Sequence, residues 1–512
     1  MGYRQIEIKL SPGFSDAELR QEISKALKTS SFRFEVVSQS LDARRKSNVH
    51  WLIRVDVLAD ELPGEAPAPA ASLVIPFRKR QKKVFVLGSG PAGMFAALVL
   101  QKAGFDTLLV ERGSVVHKRA KAISLFENKG PFDEQANYAF GEGGAGTFSD
   151  GKLTSRSKHI SAERSFVTDT YIAAGAPPEI GWLALPHIGS DNLQKVVAAL
   201  RNEYQSLGGS MLFETQVIDL TTNGKQLVEV LTTSGPVVAD FFVFAPGHSA
   251  YDTYRMLMRR GVPFRLKNFA IGSRAEHYQE LINKAQWGIE SLQGVKAAEY
   301  RLSYAGIQNQ PVYTFCMCPG GIVVPATAFA QSNIVNGMSY YPRSGKFANA
   351  ACVAGVHPLQ LSDKIQSPAD VLSWLEQLEQ SFYSFANGYA APACRIADFL
   401  NGHSRSRLPE SSFPLGLVEA PLWEMMPQSV VKALRVGLSD FAKKVKGYQT
   451  GTLIGLESKT SAPIQVVRDK SGLCEGFDNL FVVGEGSGYA GGIMSSAADG
   501  IKAAMAIVST ES

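Results

Sequence analysis

The sequence contains few cysteines and little excess charge. Five cysteines among 512 residues are an odd and sparse set, which argues against a disulfide framework and fits a reducing compartment. The formal net charge of +5 is too small for this length to indicate a nucleic-acid-binding protein by itself. The N-terminal segment MGYRQIEIKL lacks the apolar core of a signal peptide. No run approaches the ~18 apolar residues of a membrane span, so we expect a soluble, cytoplasmic protein.

Signatures of several enzyme classes are also missing. The eight histidines and five cysteines show no metal-ligand spacing, so we predict no metal site. The sequence has no Walker loop and no serine–histidine–aspartate signature. These absences argue against P-loop nucleotide hydrolysis and serine-nucleophile chemistry.

Residues 1–75 predict a small α/β domain. RQIEIKL alternates as a strand does, and Ser15 with Glu18 fits a capping box at the start of a helix. Strand-like stretches follow at 32–39 and 49–58. The Pro/Ala-rich segment after them, residues 61–72, is typical of a linker.

Two basic runs lie in and after this domain, DARRK (42–46) and FRKRQKK (77–83). They leave open a role in binding a partner or RNA. A solvated, charged surface is the simpler interpretation.

A glycine-rich turn lies between a predicted strand, which begins at residue 84, and a predicted helix at 92–103. In a G-x-G-x-x-G turn the first glycine permits the tight turn, the second lets the backbone approach a pyrophosphate, and the third lets helix and strand pack closely. The N–H groups at the helix N-terminus then bind the anion. The turn consists of Gly88, Ser89, Gly90, Pro91, Ala92 and Gly93.

An acidic residue completes this pattern. Glu111 closes the next predicted strand, ~20 residues after the turn, where a carboxylate accepts hydrogen bonds from the ribose of a dinucleotide. A carboxylate there repels a 2′-phosphate, so NADP is disfavoured at this site. We assign the neighbouring Arg112 to the same binding site. The turn and the acid together predict a dinucleotide site but do not separate FAD from NAD.

The end of the chain carries a second glycine-rich element, FVVGEGSGYAGGIMSSAADG (481–500). It resembles the C-terminal element of two-dinucleotide-fold flavoproteins, whose first and last strands share one parallel sheet. The resemblance implies that Glu485 accepts hydrogen bonds from the ribitol or diphosphate side of FAD. A helix N-terminus under the flavin pyrimidine then stabilises negative charge on reduction. The assigned residues are Gly484, Glu485, Gly491, Gly492 and Ile493.

A third glycine-rich stretch, FGEGGAGTFSDGKLTSR (140–156), suits a loop whose backbone passes close to the flavin ring. Lys152 in this loop is a candidate catalytic residue, because its charge could polarise the flavin or hold an acidic substrate. An ordinary surface lysine is the alternative. The further cofactor-binding candidates here are Gly143, Gly144, Gly146, Thr147, Ser149, Asp150 and Gly151.

Residues 211–246 predict a β meander whose last strand, FFVFAPG, leads into His248. That turn would run beside FAD, so His248 is a second catalytic candidate, with a structural histidine as the alternative. Val217 and Gly247 are assigned to the cofactor site. Upstream, Ser190 is predicted to cap a helix over 191–207.

Two further pairs of polar residues are candidates for catalysis. Glu276 and His277 are adjacent and fit an acid–base pair, although exposed polar residues are the favoured interpretation. Cys316 and Cys318 form a C-x-C that would make a flavin-linked disulfide reductase if it were redox-active. Because C-x-C is strained as a disulfide and lacks C-x-x-C spacing, two buried packing thiols are favoured.

With these motifs in place, the sequence resembles the uncharacterised FAD-dependent dehydrogenases, a family of FAD-dependent oxidoreductases with an extra N-terminal α/β domain. The resemblance covers nearly the whole chain and implies FAD binding and a redox role, without a known substrate. Two positions depart from the family pattern: Lys459 replaces a usual arginine, which bears on an anion contact, and Ser273-Arg274 replaces Val-Arg. The motifs are SLDARRK (40–46), GSGPAG (88–93), FGEGGAGTFSDGKL (140–153), APGHSAYDT (245–253), CMCPGG (316–321), NGMS (336–339), LESKTSAPIQVVRD (456–469) and GEGSGYAGGI (484–493).

The predicted fold class is α/β. We expect a Rossmann-like FAD-binding domain of the glutathione-reductase type, an inserted α+β substrate or cap domain, and the small N-terminal α/β domain. The predicted boundaries are 1–75 for the N-terminal domain, 80–250 and 451–512 for the two parts of the FAD domain, and 251–450 for the inserted domain.

The predicted function is an FAD-dependent dehydrogenase that transfers hydride between an organic small molecule and flavin N5. Two alternatives stay open: a flavin monooxygenase or oxidase, and a non-catalytic FAD protein whose N-terminal domain binds a partner or RNA. No second G-x-G-x-x-G follows a strand in 150–470. NAD(P)H is therefore a candidate only as a diffusing reductant, and no nucleic-acid partner is expected. The substrate, the electron acceptor and the oligomeric state are left open.

Overall fold

The computed structural model describes residues 2–68, 72–155, 157–307, 310–404 and 407–511. Within the first part of the chain the elements are β1 (Gly2–Leu10), α1 (Asp16–Leu27), β2 (Arg33–Asp42), β3 (His50–Ala59), β4 (Lys83–Leu87), α2 (Pro91–Lys102), β5 (Asp106–Val110), α3 (Val116–Glu127), α4 (Ser161–Ala173), α5 (Ser190–Ser206), β6 (Ser210–Leu212), β7 (Val217–Asn223), β8 (Gln226–Thr232), β9 (Gly235–Val238) and β10 (Phe241–Phe244).

The second part adds α6 (Tyr251–Arg259), β11 (Phe264–Leu266), β12 (Phe269–Tyr278), α7 (Gln279–Trp287), β13 (Ser303–Ile307), β14 (Gln310–Pro325), β15 (Val335–Met338), β16 (Phe347–Val356), α8 (Pro368–Ala386), β17 (Ala391–Arg395), α9 (Ile396–Asn401), β18 (Leu417–Glu419), α10 (Leu422–Met425), α11 (Gln428–Lys444), β19 (Thr452–Glu457), β20 (Ile464–Val466), β21 (Leu480–Val482) and α12 (Ile493–Thr510).

The N-terminal residues form an antiparallel sheet in the order β1-β3-β2, covered by α1. The predicted capping box is present: the Ser15 hydroxyl accepts from the Glu18 N–H at 3.3 Å, and the Glu18 carboxylate accepts from the Ser15 N–H at 2.7 Å. Leu19 and Ile23 on α1 are buried against the strands. Of the predicted linker, residues 69–71 lie outside the described residues.

The basic run before β4 is partly used inside the protein. Arg78 donates to the Glu511 carbonyl at 2.7 Å, and Lys82 lies 3.2 Å from the Glu511 carboxylate. Arg80 is buried and donates to the Ala103 carbonyl. Three of the charges in this run therefore bind the end of the chain or the end of α2.

A five-stranded parallel sheet has the order β21-β10-β4-β5-β6. Its strands come from residues 83–87, 106–110, 210–212, 241–244 and 480–482, so the last strand of the chain joins the sheet that β4 begins. Helices α2 and α12 pack against each other in one apolar cluster with β4, β10 and β21. Helix α2 begins at Pro91, and Gly104 follows it with φ +92°, close to the predicted bounds.

Two predictions between α2 and β10 need correction. The expected meander over 211–246 is divided, because β6 and β10 join the parallel sheet while β7, β8 and β9 form a separate antiparallel sheet. Ser190 does not cap α5: it is the first helical residue, and its hydroxyl donates to the Thr147 carbonyl at 3.4 Å. The capping position belongs to Gly189, whose φ of +81° turns the chain one residue earlier.

The largest sheet has eight strands, in the order β13-β14-β16-β12-β19-β17-β18 with β15 paired to β14. One face is apolar: Ala348, Ala350, Cys352 and Ala354 on β16 belong to a buried cluster that also contains residues of α8 and α11. Small side chains there let the helices lie close to the strands. The other face carries the charged residues Arg274 on β12 and Glu457 on β19.

Among the described residues, no helix combines the length and the apolar character that crossing a membrane requires.

Candidate flavin site

Three glycine-rich loops meet at the carboxyl ends of the parallel strands. A Cβ atom placed on Gly144 would lie 3.0 Å from the Cα atom of Gly90, and one placed on Gly484 would lie 2.7 Å from the Cβ atom of Ala92. A Cβ atom on Gly146 would lie 3.1 Å from Cγ1 of Ile493. The loop at 140–153 therefore lies between the early turn and the final element, which hundreds of residues separate in sequence.

In the early turn, residues 88–93, the backbone packs closely on itself. Gly88 has φ +92°, and a Cβ atom on Gly93 would lie 1.8 Å from the Gly88 carbonyl oxygen, so no side chain fits there. Glu111 is buried and accepts from the Ser89 N–H at 2.9 Å and from the Ser89 hydroxyl at 2.7 Å. Its other oxygen accepts from the N–H groups of Gly113 and Gly141 at 2.9 and 3.2 Å. The predicted ribose acid thus lies against the turn.

The final element is open by contrast. A Cβ atom on Gly491 or on Gly492 would meet no atom within 4 Å, and both residues are exposed at the N-terminus of α12. Within the described residues, none donates a hydrogen bond to the Glu485 carboxylate. Burial raises the pKa of Glu485 to about 7, with the charge of Cys316 acting in the same direction and Lys267 against it.

These features fit FAD. Free space beside a helix N-terminus suits a phosphate or an electron-rich ring, and an unpartnered carboxylate suits the hydroxyl groups of a ribitol chain. Gly247 belongs to the same surroundings, because a Cβ atom on Gly486 would lie 2.6 Å from the Gly247 carbonyl oxygen.

Arg119 fixes the glycine loop at 140–153. Its buried guanidinium donates to the carbonyl oxygens of Asn137 (2.7 Å), Tyr138 (3.0 Å), Glu142 (2.8 Å) and Gly144 (2.8 Å). Burial lowers its pKa to about 10, so it stays charged at neutral pH. Within the loop, Thr147 donates to the Glu142 carbonyl at 3.2 Å and Ser149 to the Gly146 carbonyl at 2.7 Å.

Ion pairs join this loop to the large sheet. Asp150 is buried and accepts two hydrogen bonds from Arg343, at 3.0 and 2.6 Å. Burial acts to raise the pKa of Asp150, but the charges of Arg343 and Lys152 outweigh it and the pKa is lowered. Lys152 donates to Glu299 at 2.7 Å and to the Met317 carbonyl at 2.5 Å. Lys152 is therefore half-buried and paired, rather than a free surface lysine.

Cys316 and Cys318 lie beside this cluster on β14. The fully buried Arg274 donates to the Cys316 carbonyl at 2.6 Å and lies 3.7 Å from the Cys318 sulphur. Arg274 also pairs with Glu457 at 2.8 Å. The C-x-C is therefore not simply apolar packing, because a buried ion pair lies directly behind it.

The remaining site candidates lie at the edges of the site. His248 is half-buried, its Nδ1 lies 2.6 Å from the Ser249 hydroxyl, and burial together with the Lys459 charge lowers its pKa to about 4. Arg112 pairs with Asp252 at 3.0 Å and stacks on the Phe140 ring. The side chain of Val217 is buried in an apolar cluster with residues of β4 and β10. Only the backbone of Val217 is therefore available to contact a cofactor.

The structure corrects one interpretation and explains a departure from the family pattern. Glu276 and His277 are buried, not exposed: Glu276 accepts from Ser412, and the His277 Nε2 lies 2.7 Å from the Tyr448 carbonyl. They lie on alternate faces of β12 and do not form an acid–base pair. Lys459 contacts Glu379 at 2.8 Å, so its charge is neutralised within the protein.

Four polar residues of the cluster were not predicted from the sequence. Arg343, Glu299 and His187 come from loops far apart in sequence, and nothing in their local patterns brings them together. His187 is buried, stacks on Tyr341, and has its pKa lowered to about 3 by burial and the Arg343 charge. Arg274 did leave a signal, because a charge among apolar and small residues in FAIGSRAEHY is unusual in a buried strand.

Among the described residues, no group of three histidine, cysteine, aspartate or glutamate side chains is arranged to hold a metal ion. The absence of a metal site stays a prediction.

Three parts of the chain match known families. Residues 81–128 match an FAD binding domain, residues 268–460 match a family described as FAD-dependent protein, C-terminal domain-like, and residues 3–58 match a domain of unknown function. An uncharacterised protein of Clostridium beijerinckii is 37% identical, over 96% of this chain and 95% of that protein. FAD is therefore the cofactor, as the glycine-rich loops predict.

Solved structures add weaker likenesses. CtdE in complex with FAD is 13% identical, with a TM-score of 0.34, over 84% of this chain and 83% of that chain. The flavin-dependent brominase Bmp2 is 13% identical, with a TM-score of 0.40, over 84% and 79% of the two chains. A geranylgeranyl bacteriochlorophyll reductase-like protein of Thermoplasma acidophilum is 12% identical, with a TM-score of 0.36, over 84% and 78%. These values are too low to assign a reaction.

Proposed function

The chain belongs to the same family of FAD-dependent proteins as the Clostridium beijerinckii protein, and from that premise we propose that it is an FAD-dependent dehydrogenase. The chemistry that FAD supplies when bound is the transfer of a hydride to or from flavin N5, which makes the protein an oxidoreductase. The single observation that carries the proposal is the meeting of three glycine-rich loops around open space beside an unpartnered Glu485.

The cofactor-binding roles follow from position. The backbone of residues 88–93 at the N-terminus of α2 would hold the pyrophosphate, and Glu111 the adenosine ribose. Glu485 would accept from the ribitol side. Gly491, Gly492 and Ile493 at the N-terminus of α12 would place partial positive charge against the flavin pyrimidine. Gly143, Gly144 and Gly146 bring the middle loop close enough to line the same space.

The substrate would bind between the loop at 140–153 and the charged face of the large sheet. Lys152 has three N–H donors, of which Glu299 and the Met317 carbonyl take two. The third would contact the flavin or an acidic substrate, and this is the catalytic role we propose for Lys152. His248 has a lowered pKa and would act as a neutral hydrogen-bonding group, not as a cation.

The domain plan proposed is the one expected from sequence. The parallel sheet takes strands from 80–250 and 451–512, which supports a divided FAD domain of the glutathione-reductase type. The large sheet begins at Phe269 and ends at Glu457, which supports an inserted substrate domain that reaches slightly past residue 450. Residues 1–75 would form a separate N-terminal domain.

The proposed partners are a small organic substrate and, as a diffusing reductant, NAD(P)H. No nucleic-acid partner is proposed, because Arg78, Arg80 and Lys82 are engaged within the protein.

The test is an absorbance spectrum of the purified protein, followed by anaerobic titration with NADH, NADPH and dithionite. We expect a bound flavin that dithionite bleaches. Bleaching by a pyridine nucleotide identifies the reductant, whereas bleaching by dithionite alone directs the search to organic donors. Protein that carries no flavin and cannot be reconstituted with FAD contradicts the proposal.

The reaction with oxygen tests the rival activity. Reoxidation by oxygen faster than by any added acceptor favours an oxidase or monooxygenase over a dehydrogenase.

A further inference from the structure

Two cysteines lie where the large sheet meets the candidate flavin site. Cys316 and Cys318 are on β14, next to the loop that carries Lys152. We propose that these two thiols form a reversible dithiol–disulfide couple that exchanges an electron pair with the flavin. The inference rests on the proposed function, because FAD is the redox partner, and it adds a second redox centre made of this chain's own residues.

The backbone at Cys316 departs from a regular strand, and the Cys318 side chain contacts it. In a regular strand, residues i and i+2 have Cα atoms about 6.6 Å apart, at the wide end of the range that a disulfide spans. β14 is not regular there: Cys316 has φ +43°, and the pairing with β16 shifts register between Phe315 and Cys318. The Cys318 thiol donates back to the Cys316 carbonyl at 3.3 Å. The two cysteines are therefore not held at the fixed spacing of a regular strand, which is the spacing that strains a C-x-C disulfide.

The charges around the pair favour one thiolate and one thiol. Interaction with the Cys318 side chain lowers the pKa of Cys316 despite its burial, and the charges of Arg274 and Lys152 act in the same direction. The pKa of Cys318 is raised by its bond to Cys316 and by burial. Thiol–disulfide exchange needs one thiolate as nucleophile and a second thiol to complete the bond.

The two cysteines differ in solvent exposure, which assigns them different roles in the exchange. Cys316 is partly exposed, while Cys318 is fully buried against Arg274. Lys152 donates to the Met317 carbonyl at 2.5 Å, so the segment between the cysteines is bound directly to the glycine loop. The charge of Cys316 also acts on Glu485. Cys316 is therefore the thiol that faces the flavin side, and Cys318 is the partner that closes the disulfide.

The exchange between the two cysteines and the flavin conserves electrons and protons. When the dithiol reduces FAD, a sulphur–sulphur bond forms between the Cys316 thiolate and Cys318, and the S–H bond of Cys318 breaks. The electron pair and that proton pass to the flavin, which becomes the reduced anion. In the reverse direction the reduced flavin returns both, the sulphur–sulphur bond breaks, and one thiolate and one thiol are restored.

The experiment counts electrons and thiols in the FAD-loaded protein. Mildly oxidised wild-type protein should take up two electron pairs per FAD from dithionite, one for the disulfide and one for the flavin. Its thiol count after denaturation should fall by two on oxidation and recover on reduction. Cys316→Ala and Cys318→Ala should each take up one pair and lose no thiol on oxidation. Cys394→Ala, which removes a cysteine on β17 that is buried as Cys318 is, should behave as the wild type does.

The outcomes separate the two proposals. Wild-type protein that binds FAD, takes up one electron pair and keeps every thiol overturns the couple and leaves the flavoenzyme intact. Protein that binds no FAD overturns the proposed function and the exchange with it. If a cysteine variant fails to fold, the wild-type thiol count and a peptide mass two hydrogens lighter across residues 316–318 still decide the matter.

Discussion

The early glycine turn and the final glycine element differ in how much free space surrounds their glycines. At the early turn a Cβ atom on Gly93 would lie 1.8 Å from a backbone oxygen, whereas at the final element one on Gly491 would meet nothing within 4 Å. The carboxylates differ in the same sense: Glu111 accepts from four protein donors, while none of the described residues donates to Glu485. The early glycines are therefore needed for the chain's own close packing, whereas Gly491 and Gly492 leave space that no protein atom fills.

The largest effect should come from Gly93→Ala. The added methyl group overlaps the Gly88 carbonyl, so helix and strand must separate, and we expect a loss of at least about 3 kcal/mol of unfolding free energy even without FAD. Urea denaturation of the apoprotein measures it. Gly181→Ala is the control, because its Cβ atom would have 3.7 Å of clearance. An apoprotein as stable as the wild type would show that the close contact between Gly93 and Gly88 is not needed for folding.

For Gly491→Ala we expect the opposite result, with unchanged stability of the apoprotein and weaker binding of FAD. Its added methyl group meets no protein atom, so the apoprotein should keep its stability within about 0.5 kcal/mol. If the space belongs to FAD, the affinity should fall by about tenfold or more, since overpacking a tight contact costs about 1–3 kcal/mol. Flavin fluorescence on titration with FAD measures the Kd. An unchanged Kd would place the flavin elsewhere.

The last effect is a pH dependence of the unfolding free energy, which changes by at most about 1.4 kcal/mol for each pH unit. Burial raises the pKa of Glu485 to about 7, so the native apoprotein binds this proton more tightly than the unfolded chain does. The resulting stability is fully present below about pH 4 and is lost as the pH rises towards 7, a total change on the order of 3 kcal/mol. Glu485→Gln should remove this slope from the unfolding free energy.

Bound FAD should change the same titration. Hydroxyl donors favour the carboxylate form, so FAD should bind more tightly as the pH rises through 7 in the wild type and not in Glu485→Gln. Glu111→Gln is the matched control: it should lower the stability of the apoprotein at every pH in this range, because it disturbs donors that the protein itself supplies. A Glu485→Gln variant with the wild-type slope would assign the titration to another group.

Much of the FAD-binding half could be predicted from sequence because its signals are local. The turn at 88–93, the acid at Glu111 and the end of α2 before Gly104 each depend on a few adjacent residues. At the start of α5 the sequence predicts Ser190 as the cap, because serine has the stronger capping preference. The cap is Gly189, and its positive φ leaves no pattern in the sequence.

The charged cluster could not be predicted, because it depends on long-range packing. Arg343 reaches Asp150 across 193 residues, and Glu299 reaches Lys152 from a loop with no motif. The burial of Glu276 and His277 depends equally on the strands beside β12, which pair with it through residues far along the chain. Local motifs therefore predicted the cofactor, whereas the charged cluster at the large sheet could be seen only in the fold.

The place of β21 in the parallel sheet has a consequence for how the protein is made. Strand β21 (Leu480–Val482) pairs with β10, and α12 packs on α2, so the parallel sheet stays incomplete until the ribosome has translated past residue 482. Contacts between such distant segments form slowly. Until they form, the apolar surface of β10 and α2 stays exposed to solvent. A premature stop before residue 480 would therefore leave a chain with every early motif intact and a sheet edge open to aggregation, a natural client for chaperones during synthesis.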